Sequence, residues 1–350
     1  MILSLRVPAI RAVAIVGACI IAVLALTTCG DQQTQAPVQQ ERMQTIKVGW
    51  FPAFAHNAGF LAAQVKGIYE AEGLRVEMVP LFGHDERMAA LRAGRVDFVI
   101  THVPNAILDR QQHPDINIVA VLEQESPLGT YSRASERIEQ PSDYPGHTIA
   151  SNPGSLEFKL LPVLARLNGY DPDEVSIKEL DFSALLPALL TGRVDMITGF
   201  WASGAYTWEK AARNAGKPLR FVRWSDHGWD AYGDAIVTTE AKTRDNPDQV
   251  RRFLSASLRG FHELMMHSDD VVRVVSVYSK TEQPDEVAAD WERTAKALVS
   301  YGTEQHGLGW MDSEKMQAQA RLVFEAYGIT GGRPVEEAYS NDYLPGDSLR

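Results

Sequence analysis

Leu91-Arg92-Ala93-Gly94-Arg95-Val96-Asp97 recurs in the second half of the chain as Leu189-Leu190-Thr191-Gly192-Arg193-Val194-Asp195. The first copy runs into Phe98-Val99-Ile100-Thr101 and the second into Met196-Ile197-Thr198. Each copy reads as the end of a helix, a glycine able to take the left-handed C-cap conformation, and an apolar strand that follows at once. A repeat at this spacing marks a duplicated architectural unit.

Working outward from the first copy, strands are expected over 46–50 and 74–79 and helices over 59–70 and 85–92. Around the second copy, strands are expected over 147–151 and 175–180 and helices over 155–167 and 183–190. Strands that alternate with helices in this way build parallel βαβ units with a covered sheet. Two α/β lobes are therefore predicted, with a polar, turn-rich segment over 124–144 between them. The helical pattern over 247–327 cannot stand alone and is expected to pack back on the first lobe, so the chain crosses between lobes twice. That is hinge architecture. A single α/β domain with a helical cap is the alternative. The expected division is lobe 1 at 44–128 and 236–350, and lobe 2 at 129–235.

The 350 residues are 45% hydrophobic and 23% charged, an ordinary globular composition. With 34 basic against 45 acidic side chains the formal net charge is -11, so no large basic footprint exists for nucleic acid. The uncharged run at 12–26 follows Arg6 and Arg11, and residues 1–28 read as a signal peptide, an uncleaved anchor being the alternative. Cys19 and Cys29 are the two cysteines, one within this run and one just past it, which leaves no disulfide framework in the processed chain. Leu26-Thr27-Thr28-Cys29-Gly30 resembles a bacterial lipobox, which implies lipidation of Cys29, and the Gln-rich stretch 29–43 suits a flexible tether. Without that leader the body holds 32 basic and 45 acidic side chains.

Ligands of open α/β sheets bind beyond the carboxyl ends of strands. The residues there are Trp50, Phe51, Phe54, His56, Phe82, His84, Thr101 and His102 in the first lobe. The second lobe offers Asn152, Ser155, Glu157, Phe182, Phe200 and Trp201, with Trp229 and Tyr232 near the return crossing. Aromatic walls with a few polar groups suit a flat or partly apolar solute. Core packing is the competing account of each aromatic side chain. Ser155, behind Pro153-Gly154, opens a helix whose free N–H groups could hold an anion such as a sulfonate. Glu157 in the same turn would repel an anion and pair with an amino group or ring N–H. His56, His84 and His102 lack a local ligand spacing, so no metal and no cofactor are expected. Nor is there a G-x-S-x-G, a P-loop or an H-E-x-x-H, and no enzyme is expected.

The segment Ile46-Lys47-Val48-Gly49-Trp50-Phe51-Pro52, with His56, Gly59, Tyr69 and Glu72-Gly73-Leu74, resembles the opening of solute-binding proteins of nitrate, sulfonate, taurine and thiamin-pyrimidine ABC importers. Pro145-Gly146-His147-Thr148-Ile149, the stretch 232–239 and the late segment 339–345 continue the resemblance. It implies a two-lobed periplasmic-binding-protein type II fold that closes on a small solute and delivers it to a membrane permease. Together with the lipobox-like segment it implies an exported, lipid-anchored monomer in the periplasm or at the outer face of the cytoplasmic membrane. Gly49 replaces the Asp common in the pyrimidine branch, yet the aromatic pocket and Glu157 favour a neutral or amino-bearing aromatic solute over an anion. A ligand-sensing adaptor is the rival from another class. A pyrimidine-synthase-like enzyme would need a cysteine-rich motif, and no cysteine follows Cys29.

Overall fold

The computed structural model describes residues 43–153 and 155–349. The signal, Cys29, nearly all of the tether and Gly154 lie outside the described residues.

Among the described residues ten strands form two five-stranded sheets. The first contains β1 (Gln44–Trp50), β2 (Leu74–Pro80), β3 (Phe98–His102), β4 (Ile116–Val121) and β10 (Asp234–Thr239), in the order β2-β1-β3-β10-β4. The second contains β5 (Leu128–Arg133), β6 (Thr148–Ser151), β7 (Ser176–Glu179), β8 (Met196–Phe200) and β9 (Leu219–Arg223), in the order β7-β6-β8-β5-β9. The helices are α1 (Ala58–Val65), α2 (Ile68–Ala71), α3 (His84–Arg92), α4 (Val103–Gln112), α5 (Leu156–Leu167), α6 (Phe182–Leu190) and α7 (Ala205–Asn214). The C-terminal part adds α8 (Glu240–Asp245), α9 (Pro247–Met266), α10 (Asp270–Tyr278), α11 (Pro284–Ala297), α12 (Tyr301–His306) and α13 (Ser313–Ala326).

The duplicated motif behaves as its residues dictate. Gly94 and Gly192 take φ values of 65° and 75°, each just past the end of α3 or α6. Asp97 and Asp195 then fix the sheets in the same way: the N–H groups of Lys47 and Thr148 donate to Asp97 Oδ2 and Asp195 Oδ2, both at 2.8 Å. A carboxylate at the start of one strand thus pins the register of the next. The single helix expected over 59–70 is instead α1 and α2, broken at Gly67, whose φ of 69° no helix interior accepts.

The sheets are mixed rather than parallel throughout. β10 runs antiparallel to β3 and β4, and β5 antiparallel to β8 and β9. These are the strands at which the chain enters a sheet after leaving the other one, through the connections 122–127 and 224–233. Each arrives reversed and pairs on both edges, which ties each crossing into a sheet interior. β5 lies within the segment read as a polar connector, because Leu-Gly-Thr-Tyr-Ser-Arg alternates too weakly to announce a strand, although its first five residues are buried.

The helical tail does pack on the first sheet's layer. α9 lies against α1, and Phe60 meets Phe261 edge to face at 5.1 Å. Their core also holds Phe98, Phe253, Val274 and Trp291. The tail reaches the second lobe too. Asp290 of α11 accepts the N–H groups of Gly204 and Tyr206 at 3.0 and 3.4 Å, capping α7 from outside its own lobe. Arg293 donates to the Trp201 carbonyl at 3.2 Å and pairs with Glu209 at 2.7 Å. Among the described residues no helix is long and apolar enough to cross a membrane.

Candidate functional site

The first wall is built at the ends of β1, β2 and β3 and at the start of β10. Asp234 is its hub. Its Oδ1 lies 2.9 Å from His102 Nδ1 and its Oδ2 3.0 Å from His56 Nε2, so one carboxylate holds two imidazoles. The Asp234 N–H donates to Glu123 Oε2 at 2.9 Å, and Glu123 Oε1 lies 3.8 Å from His56 Nδ1. Glu123 is the acid that the strand-end reading passed over. It lies two residues past β4, a strand the same rule would have followed had 116–121 been read as one.

The protonation states follow from this packing. Burial opposes charge on His56, but Glu123 and Asp234 outweigh it and raise its pKa to about 9. Burial also opposes charge on His102, and Asp234 again wins, raising it. For Asp234 burial works against ionisation, yet His102 and His56 hold it well below the ordinary carboxylate range. Glu123 is raised by burial, with His56 acting the other way. His84 lacks a carboxylate contact: burial, assisted by Arg87, pushes it down to about 4, and its Nδ1 pairs with Thr101 Oγ1 at 2.9 Å. The three histidines therefore do not form one cluster. His56 and His102 share Asp234, while His84 stands neutral beside Thr101.

The second wall is the mouth of β6 and β8. Ser151 Oγ lies 2.9 Å from Thr198 Oγ1. Ser155 caps α5, its Oγ accepting the Phe158 N–H at 3.2 Å. Asn152, with its amide turned to suit its neighbours, accepts the Phe182 N–H at 3.0 Å. Glu157, in the first turn of α5, is 8% exposed. Its charge adds to that of Asp234 and Glu123 in favouring the charged form of His102 on the opposite wall. The two walls also touch through rings, since His102 stacks on Phe200 at 5.8 Å and 12°.

The aromatic residues divide into two sets. Phe51 and Phe82 stand 50% and 70% exposed and meet edge to face at 6.1 Å, and Phe182, 54% exposed, leans on Trp208 at 5.2 Å. These are free ring surfaces. Trp50, Trp201, Trp229 and Tyr232 are buried instead. Trp50 packs on Phe54, itself half-buried against the first core. Trp201 lies under Arg223, whose guanidinium is 3.9 Å from the ring centroid. Trp229 Nε1 donates to Ser126 Oγ at 3.1 Å, and Tyr232 Oη accepts the Asp312 N–H at 2.8 Å. The last three brace the connections between lobes. A surface cavity of about 810 Å³, lined by Val271, Val272, Trp291 and Ala295 among others, belongs to α9–α11 and to neither wall.

Comparison with known proteins places this arrangement. A family profile described as "NMT1/THI5 like" matches residues 55–271. A riboflavin-binding protein, RibY, of Chloroflexus aurantiacus is 24% identical over 322 residues, covering 89% of this chain and 90% of RibY. The periplasmic aliphatic sulphonate-binding protein SsuA of Escherichia coli superposes with a TM-score of 0.68 at 14% identity, covering 84% of this chain and 91% of SsuA. The periplasmic nitrate-binding protein NrtA of Synechocystis PCC 6803 gives 0.60 at 15% identity, covering 86% and 87%. The chain thus has the two-lobed periplasmic-binding-protein fold, with its strand ends facing each other across the two crossings.

Proposed function

We propose, from the premise that this chain belongs to the NMT1/THI5-like family, that it is the extracytoplasmic solute-binding component of an ABC importer and captures a flat, neutral heteroaromatic solute bearing N–H or O–H donors. A flavin fits this description, as does a pyrimidine of the thiamin type. A fold alone does not assign a ligand. The observation that carries the ligand class is Glu157, an acid only 8% exposed in the first turn of α5, whose charge acts on His102 of the other lobe.

The same geometry argues against a small oxyanion. The cap of α5 already engages the Ser155 hydroxyl, and Glu157 would repel the anion. Arg87, the buried guanidinium of this wall, is turned to the Leu81 carbonyl at 3.1 Å. Free faces on Phe51, Phe82 and Phe182 supply stacking surface for a ring instead. RibY, named for riboflavin binding, supports a flavin. Delivery would pass to a membrane permease, from a protein held at the membrane by lipid on Cys29.

A panel of riboflavin, a hydroxymethylpyrimidine, taurine, an alkanesulfonate and nitrate, each tested by thermal shift, examines the reading. A ligand at a hundred times its dissociation constant adds about 2.7 kcal/mol of stability. The ring compounds are expected to raise the midpoint and the anions to leave it unchanged; the reverse pattern would reject the ligand class. Glu157→Ala is expected to weaken binding of the ring compound by roughly 10- to 100-fold, the worth of a charge-assisted hydrogen bond of about 1.5–3 kcal/mol. Its unfolding midpoint without ligand should stay close to the parent's, which separates a lost ligand contact from a damaged fold.

A further inference from the structure

Helix α11 belongs to the first lobe by one face and reaches the second lobe by the next. Val287 and Trp291 lie in the core of the first lobe, where Trp291 stacks on Phe261 at 6.4 Å and 26°. Glu286, Asp290 and Arg293, spaced i, i+4 and i+7, share a neighbouring face, and all three meet α7 or the loop before it. Asp290 caps Gly204 and Tyr206, and Arg293 engages the Trp201 carbonyl and Glu209. Glu286 Oε2 accepts from Thr207 Oγ1 at 2.7 Å. Lys210 Nζ completes the contact, 2.8 Å from Asp285 Oδ2 and 3.1 Å from Glu286 Oε1. Its apolar share is small, a buried cluster of Trp201, Ala202 and Ala297.

Elsewhere the lobes are joined by a different kind of contact. α13 packs against both α4 of the first lobe and α5 of the second. Met316, Ala320 and Val323 are buried there in one core with Ile107 of α4 and Leu160 and Leu164 of α5. Parting that seam would return aliphatic side chains to water, at a cost that grows with the area exposed. Parting α11 from α7 exchanges ion pairs and hydrogen bonds for hydration, and the Lys210 and Asp285 side chains are already 34% and 51% exposed. Pairs that water reaches give little net stability. Such a contact biases an equilibrium between open and closed states and still yields, whereas the α13 seam holds in both.

We propose that the α11–α7 contact is a latch built from charge, which holds the lobes together before any solute arrives and so sets solute affinity from outside the solute walls. Lys210, Asp285 and Glu286 belong to neither wall. The effect on affinity rests on the reading that a solute binds between the lobes, because the apparent affinity then scales with the fraction of molecules already closed.

Small-angle X-ray scattering from the solute-free protein, residues 1–42 being the same in every sample, tests the latch without any ligand. Lys210→Glu sets like charges against one another and is expected to raise the radius of gyration above the parent's, with the far-ultraviolet circular dichroism unchanged. Adding Asp285→Lys and Glu286→Lys restores opposite charges and is expected to return the scattering curve towards the parent's. Lys296→Glu makes the same change of charge on the cavity-lining side of α11, in an exposed pair with Glu292, and should leave the curve as it was. Where the closed fraction falls to about one tenth, the apparent Kd for riboflavin rises ~10-fold. A Lys210→Glu curve that superimposes on the parent's, or an equal expansion by Lys296→Glu, would overturn the latch. Riboflavin failing to bind the parent would reject the solute class alone, since the scattering comparison involves no solute.

Discussion

Asp234→Ala is expected to destabilise the protein by up to about 3–5 kcal/mol, the cost of removing one partner from a largely buried ionic group and leaving the others uncompensated. Two imidazoles lean on this carboxylate at 2.9 and 3.0 Å. Glu123 is the acid that remains, 3.8 Å from His56 Nδ1, and burial already holds it towards the neutral form. For a chain of this size the thermal midpoint should fall on the order of 10 °C. Asp234→Asn keeps the shape and one acceptor and should cost less, so the difference between the two variants isolates the charge. Urea unfolding checks both: the midpoint should drop with an unchanged slope. An Asp234→Ala protein as stable as the parent would show that the hub is not a structural centre.

Gly260→Val is the second change with a large expected effect. A Cβ at Gly260 would stand 2.1 Å from the Gly59 carbonyl oxygen and 2.8–2.9 Å from Ala63, and a Cβ at Gly59 would stand 2.2 Å from the Phe261 ring. α1 and α9 touch backbone to backbone, so no side chain can swing aside and the helices must part. Overpacking a core costs about 1–3 kcal/mol where neighbours can adjust, and this substitution should reach or exceed the upper end. Gly94→Ala is the control: nothing lies within 4 Å of its Cβ, and the penalty is the left-handed φ of 65°, roughly 1–2 kcal/mol. Chemical denaturation of both variants should rank Gly260→Val well below Gly94→Ala. The opposite order would mean that the α1–α9 contact is not tight in solution.

Much of this architecture could be read from residue order, because the duplicated Leu-to-Asp motif carries its own punctuation. The glycine sets the helix end, the following apolar run sets the strand, and the aspartate sets the register. The reversed strands β5 and β10 could not be read in this way, since the direction of a strand depends on where the chain comes from rather than on its side chains. β5 was further hidden by burying Gly129, Thr130 and Ser132, small and polar residues that a hydrophobic pattern passes over. At the site, strand-end position picked out His56 and His102, which the structure joins through one carboxylate, and it missed that carboxylate. Asp234 begins a strand instead of ending one, and it reaches the site only because β10 runs backwards. Trp201 and Trp229 have the composition of a stacking wall, yet sit buried because the two connections need bulky side chains to fill the space beside them.

The two walls are proposed to close on a neutral heteroaromatic solute. Titrating riboflavin into the protein while following flavin fluorescence tests it most directly, since stacking against aromatic rings quenches the flavin as the complex forms. Saturable quenching with one equivalent per chain, undisturbed by excess taurine or nitrate, is the predicted result. Fluorescence that stays unquenched up to saturating protein, together with a thermal shift from an alkanesulfonate or nitrate, would contradict it.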